Sequence, residues 1–260
     1  MIILKSNPKT PGTRHKKFLY SLTTKNFKKK WQCISKKRVS GRNSVNGILL
    51  FKRKSPNFKK YINISQKSYL FNKPAILLNF LHYFKNRTNV GVIKFTNGAY
   101  ANINVAYGLL PGSVIKSTNY PVYFYKNFNL GDTILLKWLE PKITFFNIIG
   151  IEDKKAMYVK AAGTFSVFVY SNKEKNYSKV KLPSGDYKFF YNYTFVTLGR
   201  NSNIFSKYRV IGKAGDNVKI GLRPSVRGIA MNPVDHPHGG RAKTNSPEKT
   251  PWGKIAKKNK

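Results

Sequence analysis

Hydrophobic and polar positions alternate in short runs over most of this chain, and no long stretch repeats apolar residues at helical spacing. Val92-Ile93-Lys94-Phe95-Thr96 is followed by Asn97-Gly98 and then by 99–105, where Ile103 and Val105 alternate with Asn. Asn-Gly between two such runs predicts a tight hairpin. A second group of β-like runs covers 143–149, 158–160, 165–170, 177–182, 186–191 and 195–198, with Pro183-Ser184-Gly185 supplying a turn. Many short strands punctuated by Gly and Pro, without alternating long helices, predict small antiparallel barrels, two in tandem. A short helix is expected at about 203–211, ending at Gly212, before a Gly-rich, Arg-bearing segment at 213–240.

The two ends read differently. Residues 1–60 mix clusters such as Lys28-Lys29-Lys30 and Lys36-Lys37-Arg38 with Pro, Gly, Ser and Asn, and predict an extended arm that orders on a partner. The last twenty residues carry seven Lys and Arg against Glu248 alone, with too little apolar surface for a core.

Charge identifies the class of partner. Of the 260 residues, 49 are Lys or Arg and 9 are Asp or Glu, a formal charge of +40, and no acidic residue precedes Asp132. Such self-repulsion calls for an intensely anionic partner. Phosphate backbones reward it by counterion release, so nucleic acid is expected. Hydrophobic residues still make up 41% of the chain, with 18 Phe and 16 Tyr, enough for real cores.

Other classes fit less well. The longest apolar stretch, 74–84, is interrupted by Asn79 and His82, whereas a membrane span needs about 20 mostly apolar residues. No membrane partner is expected. Cys33 is alone, so neither an internal disulfide nor a zinc ribbon can be assembled from one thiol and four His.

The most informative stretch is Arg223-Pro224-Ser225-Val226-Arg227-Gly228-Ile229-Ala230-Met231-Asn232-Pro233-Val234-Asp235-His236-Pro237-His238-Gly239-Gly240. Arg223 and Arg227 offer planar charged forks for phosphates, and Gly228, Gly239 and Gly240 let backbone approach RNA closely. Pro233 and Pro237 stiffen the path. His236 and His238 can stack on bases or bond phosphate and 2′-hydroxyl groups, while Met231 and Val234 can fill gaps in grooves. Asp235, His236 and His238 also admit an acid–base pair or a metal site, but no nucleophile motif or second ligand cluster accompanies them.

This segment closely resembles the hallmark of universal large-subunit ribosomal protein two, in its bacterial and organellar form. Five further elements resemble the same family in order and spacing: Lys9-Thr10-Pro11-Gly12-Thr13-Arg14-His15, Ser40-Gly41-Arg42-Asn43, Lys160-Ala161-Ala162-Gly163-Thr164, Lys213-Ala214-Gly215 and Thr250-Pro251-Trp252-Gly253-Lys254. Leu182-Pro183-Ser184-Gly185-Asp186 matches the family's turn. The family's Gly-Gly-Gly-His element after Gly-Arg-Asn is absent, its Arg-Trp after Lys-Ala-Gly is replaced by Asp216-Asn217-Val218-Lys219, and its third Gly after His-Gly-Gly is Arg241.

The resemblance implies a mainly β fold, an OB-fold-like barrel followed by an SH3-like barrel, with long basic N- and C-terminal extensions. The boundaries expected are 1–60 for the basic extension, 61–125 for the OB-fold-like RNA-binding domain, 126–200 for the SH3-like barrel, and 201–260 for a C-terminal extension with the RNA-inserting loop. It implies a non-enzymatic role: binding large-subunit rRNA near the peptidyl-transferase centre and supporting subunit association. Expected partners are rRNA, other ribosomal proteins and the small subunit across an intersubunit bridge. No intrinsic cofactor is expected, with Mg²⁺ entering only through rRNA. Candidate rRNA-binding residues are Arg14, His15, Arg42, Asn43, Lys160, Gly163, Thr164, Lys213, Arg223, Arg227, Gly228, Met231, Asn232, His236, His238, Gly239, Gly240 and Trp252.

The first family element begins within about a dozen residues of Met1, which leaves no room for an import presequence. Lys, Asn, Ile, Phe and Tyr are abundant at the expense of Ala and Glu, as in A- and T-rich genomes. The expectation is the mitochondrial matrix ribosome with the gene in the organelle, a plastid or bacterial origin staying open. Two other classes remain as alternatives: a histone-like DNA-compacting protein, which the charge permits, and a hydrolase using Asp235 and His236.

Overall fold

The computed structural model describes residues 3–19, 33–35, 41–43, 47–50, 60–65, 73–83, 87–118, 129–150, 156–220, 224–240 and 247–256. The chain divides into two compact units, one formed by Met1–Lys36 with Lys59–Gly212 and the other by Lys37–Phe58 with Lys213–Lys260. The fold is mainly β, an OB-fold-like and an SH3-like barrel carrying basic extensions.

In the first unit, β1 (Ile3–Lys5) pairs antiparallel with β2 (Lys17–Leu19) around the single-turn α1 (Pro11–Arg14). Thr13 Oγ1 accepts the Thr10 N–H at 3.0 Å and closes that turn. β3 (Cys33–Ser35) pairs with β6 (Lys60–Ile62). Pairing therefore reaches into the arm expected to be extended, through strands of three residues, too short to show a periodicity.

The first barrel is built on β7 (Ala75–Tyr83), β8 (Thr88–Phe95), β9 (Tyr100–Asn104) and β10 (Val114–Ile115), in the order β10-β7-β8-β9. The expected hairpin forms at Asn97-Gly98, where Gly98 takes φ 80° and its N–H bonds the Phe95 carbonyl. β7 lies within the apolar stretch 74–84. A register shift between Leu77 and Asn79 keeps Ala75, Leu77 and Phe80 in one cluster with Ile93, Val105 and Ile115. Leu81, Val90 and Val92 pack on the other face with Ile62. Covering both faces explains why β7 and β8 read as continuous apolar runs rather than alternating ones.

The second barrel contains β11 (Thr133–Leu135), β12 (Thr144–Ile149), β13 (Ala156–Tyr158), β14 (Ser166–Asn172), β15 (Tyr177–Lys181), β16 (Tyr187–Tyr191) and β17 (Phe195–Leu198). The order is β11-β17-β12-β14-β15-β16, with β13 on β12. Phe145, Phe168, Leu136, Ile148 and Val196 are fully buried at its centre. Each such side chain contributes roughly 1.5–3 kcal/mol of transfer free energy. The turn at Pro183-Ser184-Gly185 joins β15 to β16, with the Gly185 N–H on the Leu182 carbonyl.

Four consecutive residues tie these parts together. The Tyr107 N–H bonds the Arg200 carbonyl at 2.7 Å, and Ala106 bridges Asn201. The Ser202 N–H bonds the Val105 carbonyl at 3.0 Å while its Oγ accepts the Asn89 N–H at 2.9 Å. Asn203 Nδ2 donates to the Arg87 carbonyl. On the other side Asn201 Nδ2 donates to the Lys160 carbonyl at 2.9 Å, and the Arg200 Nε to the Gly163 carbonyl at 2.7 Å. Asn201, Ser202 and Asn203 are all buried. The short helix expected at 203–211 is a 3₁₀ segment, Ile204–Tyr208, in which the Ser206 N–H bonds the Asn203 carbonyl and the Arg209 N–H the Ser206 carbonyl, each three residues back.

Asp132, the first acidic residue in the chain, is buried and fastens a second junction. Its Oδ1 accepts the Lys116 N–H at 2.9 Å and its Oδ2 the Asn129 N–H at 3.0 Å. Burial pushes its carboxyl above the ordinary value of 3.8, against the opposing pull of those two bonds and of the Lys116 charge.

In the second unit, β4 (Gly41–Asn43) pairs with β5 (Gly47–Leu50), and α2 spans Ala214–Ile220 within the Gly-rich, Arg-bearing segment 213–240. Asp216 in its first turn and Lys219 in its last match the helix dipole, and the two meet at 3.7 Å on the surface.

Two outcomes test these junctions. Asn201→Ala removes the donor to the Lys160 carbonyl and lowers the unfolding free energy by about 2 kcal/mol in urea titration. For Asp132, a raised folded-state value means that its stabilising contribution is complete below 3.8 and lost as pH rises through the raised value. Stability relative to Asp132→Asn therefore grows as the buffer is acidified from neutral toward that window; a pH-independent difference would contradict the assignment.

Candidate nucleic-acid interface

The segment 224–240 is an ordered loop that packs around a histidine. A 3₁₀ turn, Gly228–Ala230, opens it, with the Ala230 N–H on the Arg227 carbonyl and the Met231 N–H on the Gly228 carbonyl. The Asp235 and His236 N–H groups both bond the Asn232 carbonyl, at 3.0 and 3.2 Å, and the Gly239 N–H bonds the His236 carbonyl at 2.8 Å. Pro233 and Pro237 cost this network nothing, since neither position needs an N–H donor.

His236 is 7% exposed, and its Nδ1 accepts the His238 N–H at 3.0 Å. His238 Nε2 accepts the Lys249 N–H at 2.8 Å, which fastens the basic tail to the loop. The two rings lie 4.7 Å apart between centroids. Accepting a main-chain N–H requires an unprotonated nitrogen, so each bond fixes one tautomer of its neutral ring. The nitrogens that a hydrolytic base would use are thereby engaged in holding the loop.

Glycine is demanded at two positions by contact. A Cβ on Gly228 would stand 2.7 Å from the His236 ring, and one on Gly239 would fall on the Asn232 carbonyl. The loop interior is filled by imidazole and backbone. Its exterior carries Arg227 together with Val226, Ile229 and Val234, which are 65%, 56% and 97% exposed. Apolar and cationic side chains thus stand on the loop's exterior beside the exposed Ser225, Asn232 and Asp235, around a polar interior.

Other candidates fall into separate groups. Arg14 and His15 are exposed and line a cleft with Lys5, Lys16, Lys17 and Val210. Lys160, Gly163 and Thr164 form the loop held by residues 200–203: the Gly163 N–H bonds the Ser202 carbonyl, and the Thr164 carbonyl takes the Asn201 N–H. Lys213 is exposed just before α2, and Trp252 is exposed on the Thr250–Gly253 turn. Arg42 and Asn43 lie in β4, paired with Ile48 and Gly47. Arg223 falls outside the described residues. Among the described residues no group of three or more His, Cys, Asp and Glu could hold a metal, and no helix is long and apolar enough to cross a membrane.

The family described as Ribosomal Proteins L2, C-terminal domain, matches residues 129–253, a span that includes the second barrel and the histidine loop. Over 257 residues the chain is 34% identical to large ribosomal subunit protein uL2m of Reclinomonas americana, covering 97% of this chain and 90% of that one. The chain belongs to the uL2 family of large ribosomal subunit proteins. It is 32% identical to uL2c of Helicosporidium sp. subsp. Simulium jonesii (98% and 92% covered) and 30% identical to uL2 of Buchnera aphidicola subsp. Cinara cedri (97% and 91%). Membership in uL2 makes it a structural ribosomal protein, not an enzyme.

In this uL2 chain the residues that position the others leave little mark in the sequence. Asn201 and Ser202 carry no motif, and their only signal was being small, polar and adjacent at a strand end. Lys5, Lys16 and Lys17 were hidden among many cations, and only the β1–β2 pairing draws them beside Arg14.

Gly239→Ala should open the loop. Trypsin cleavage after Arg227 should rise at least about tenfold, while the melting midpoint of the barrels stays unchanged, since the clash is confined to backbone at Met231 and Asn232.

Proposed function

We propose that this uL2 chain binds large-subunit rRNA near the peptidyl-transferase centre, with the 224–240 loop inserted into RNA and both basic extensions acting as electrostatic anchors. The observation that carries the reading is the loop closed on His236 by hydrogen bonds, with Arg227, Val226, Ile229 and Val234 left exposed. Arg227 is its phosphate contact and Val226, Ile229 and Val234 fill RNA grooves. His236 supports this loop and does not take part in peptide transfer.

The other proposed rRNA contacts are Arg14, His15, Arg42, Asn43, Lys160, Thr164, Lys213, Arg223, His238 and Trp252. With neighbouring ribosomal proteins the chain supports association with the small subunit across a bridge. It needs no cofactor of its own, and Mg²⁺ reaches it through the rRNA. We place it in the mitochondrial ribosome, with its gene in the organelle; the likeness to a uL2m and the Lys-, Asn- and Ile-rich composition support this.

Arg227→Ala should weaken binding to a peptidyl-transferase rRNA fragment roughly tenfold and reduce the slope of log affinity against log salt by about 1. Cross-links from 224–240 in gradient-purified large subunits should map to that RNA. Unchanged affinity and slope, or migration of the chain with genomic DNA apart from the large subunit, would overturn the proposal.

A further inference from the structure

The outer face of β14–β16 has no role in the reading above, and its composition is unusual for a protein surface. β15 and β16 pair in register, so Tyr177 stands opposite Tyr191, Lys179 opposite Phe189, and Lys181 opposite Tyr187. Side chains two apart along a strand share a face, and Tyr187, Phe189 and Tyr191 are 56%, 56% and 55% exposed. The alternate residue, Phe190, turns inward to the core. Tyr177 and Tyr191 lie 4.9 Å apart between ring centroids, and Lys179 sits 4.9 Å from the Tyr187 ring and 5.8 Å from that of Tyr170. β16 ends the path of the sheet, so these rings line an edge.

Exposed aromatics on an edge strand invite a partner. Charge selects which kind. None of the three strands contains Asp or Glu, and Lys179 and Lys181 alternate with the rings across the sheet. A ring face takes a base by stacking, and a lysine one strand away then reaches its phosphate. Rings spaced by two residues along β16 span about 13 Å, room for two or three unstacked bases. A duplex keeps its base faces stacked inside and offers this surface only phosphates.

We infer that the β14–β16 face is a second RNA-binding surface, a stacking platform that takes a short unpaired, single-stranded RNA segment without strict sequence preference. The inference shares with the proposed function the premise that the chain works on RNA, but it does not depend on the 224–240 loop.

The test uses the full chain and a single-stranded octanucleotide carrying 4-thiouridine, with a duplex of the same sequence for comparison, at about 0.5 M salt to suppress phosphate-only binding. The triple variant Tyr187→Ala, Phe189→Ala, Tyr191→Ala should lose at least about tenfold in octamer affinity, with duplex affinity unchanged. Photo-cross-links on the unaltered chain should fall at 187–191. A second triple variant with Leu at the same three positions keeps apolar cover if the Ala form unfolds, and should bind the octamer as weakly. Octamer affinity retained by the Leu variant, cross-links lying elsewhere, or a protein rather than rRNA cross-linked to 187–191 in assembled subunits would overturn the platform. Arg227→Ala, measured on the same two probes and on the rRNA fragment, reports the loop reading separately.

Discussion

The first unit depends most on the hydrogen bonds of residues 200–203, which join its two barrels. Two barrels of this size could each close a core, but a core has no directional preference and does not by itself fix one barrel against its neighbour. Main-chain and amide bonds do, because each buried donor left without its acceptor costs about 1–3 kcal/mol. From one short segment at the end of β17, bonds run to 87–89, to 105–107 and to 160–164. The loop holding Lys160 and Thr164 thus owes its conformation to residues some forty positions later in the chain.

At the buried positions 201–203 the side chains given this task are neutral, and the reason is charge. With 49 cations and 9 anions, internal ion pairs are scarce material, and every additional buried cation would meet repulsion from its own chain. Asn and Ser supply donors and acceptors with no net charge, and Asn104 Nδ2 to Asn147 Oδ1 extends the same solution between the two sheets. Asp132 is the instructive exception: an acid kept inside, held by two N–H groups, and raised in its titration by the burial those bonds only partly offset.

The same economy shapes both surfaces assigned to RNA. In the histidine loop, imidazole nitrogens do the work of caps, so that the arginine and the aliphatic residues are left facing outward. On the β14–β16 sheet, strand alternation sends Phe190 inward and Tyr187, Phe189 and Tyr191 outward. Both surfaces are presented by hydrogen-bonded main chain.

The sequence by itself determined the strand-rich architecture and the identity of the family, and its charge set the class of partner to expect. Net charge is a sum over residues, β-alternation is a local periodicity, and the 223–240 motif is contiguous, so none of the three needs coordinates. The hairpin at Asn97-Gly98 and the turn at Pro183-Ser184-Gly185 were legible for the same reason. Tertiary structure alone decided that His236 faces inward, that 204–208 is 3₁₀ rather than α-helical, and that Asn201 holds the Lys160 loop. It also decided which of the many lysines share a face with aromatic rings. Those outcomes depend on contacts between residues far apart in the chain, and long-range hydrogen bonding leaves no periodic trace in the residues that make it.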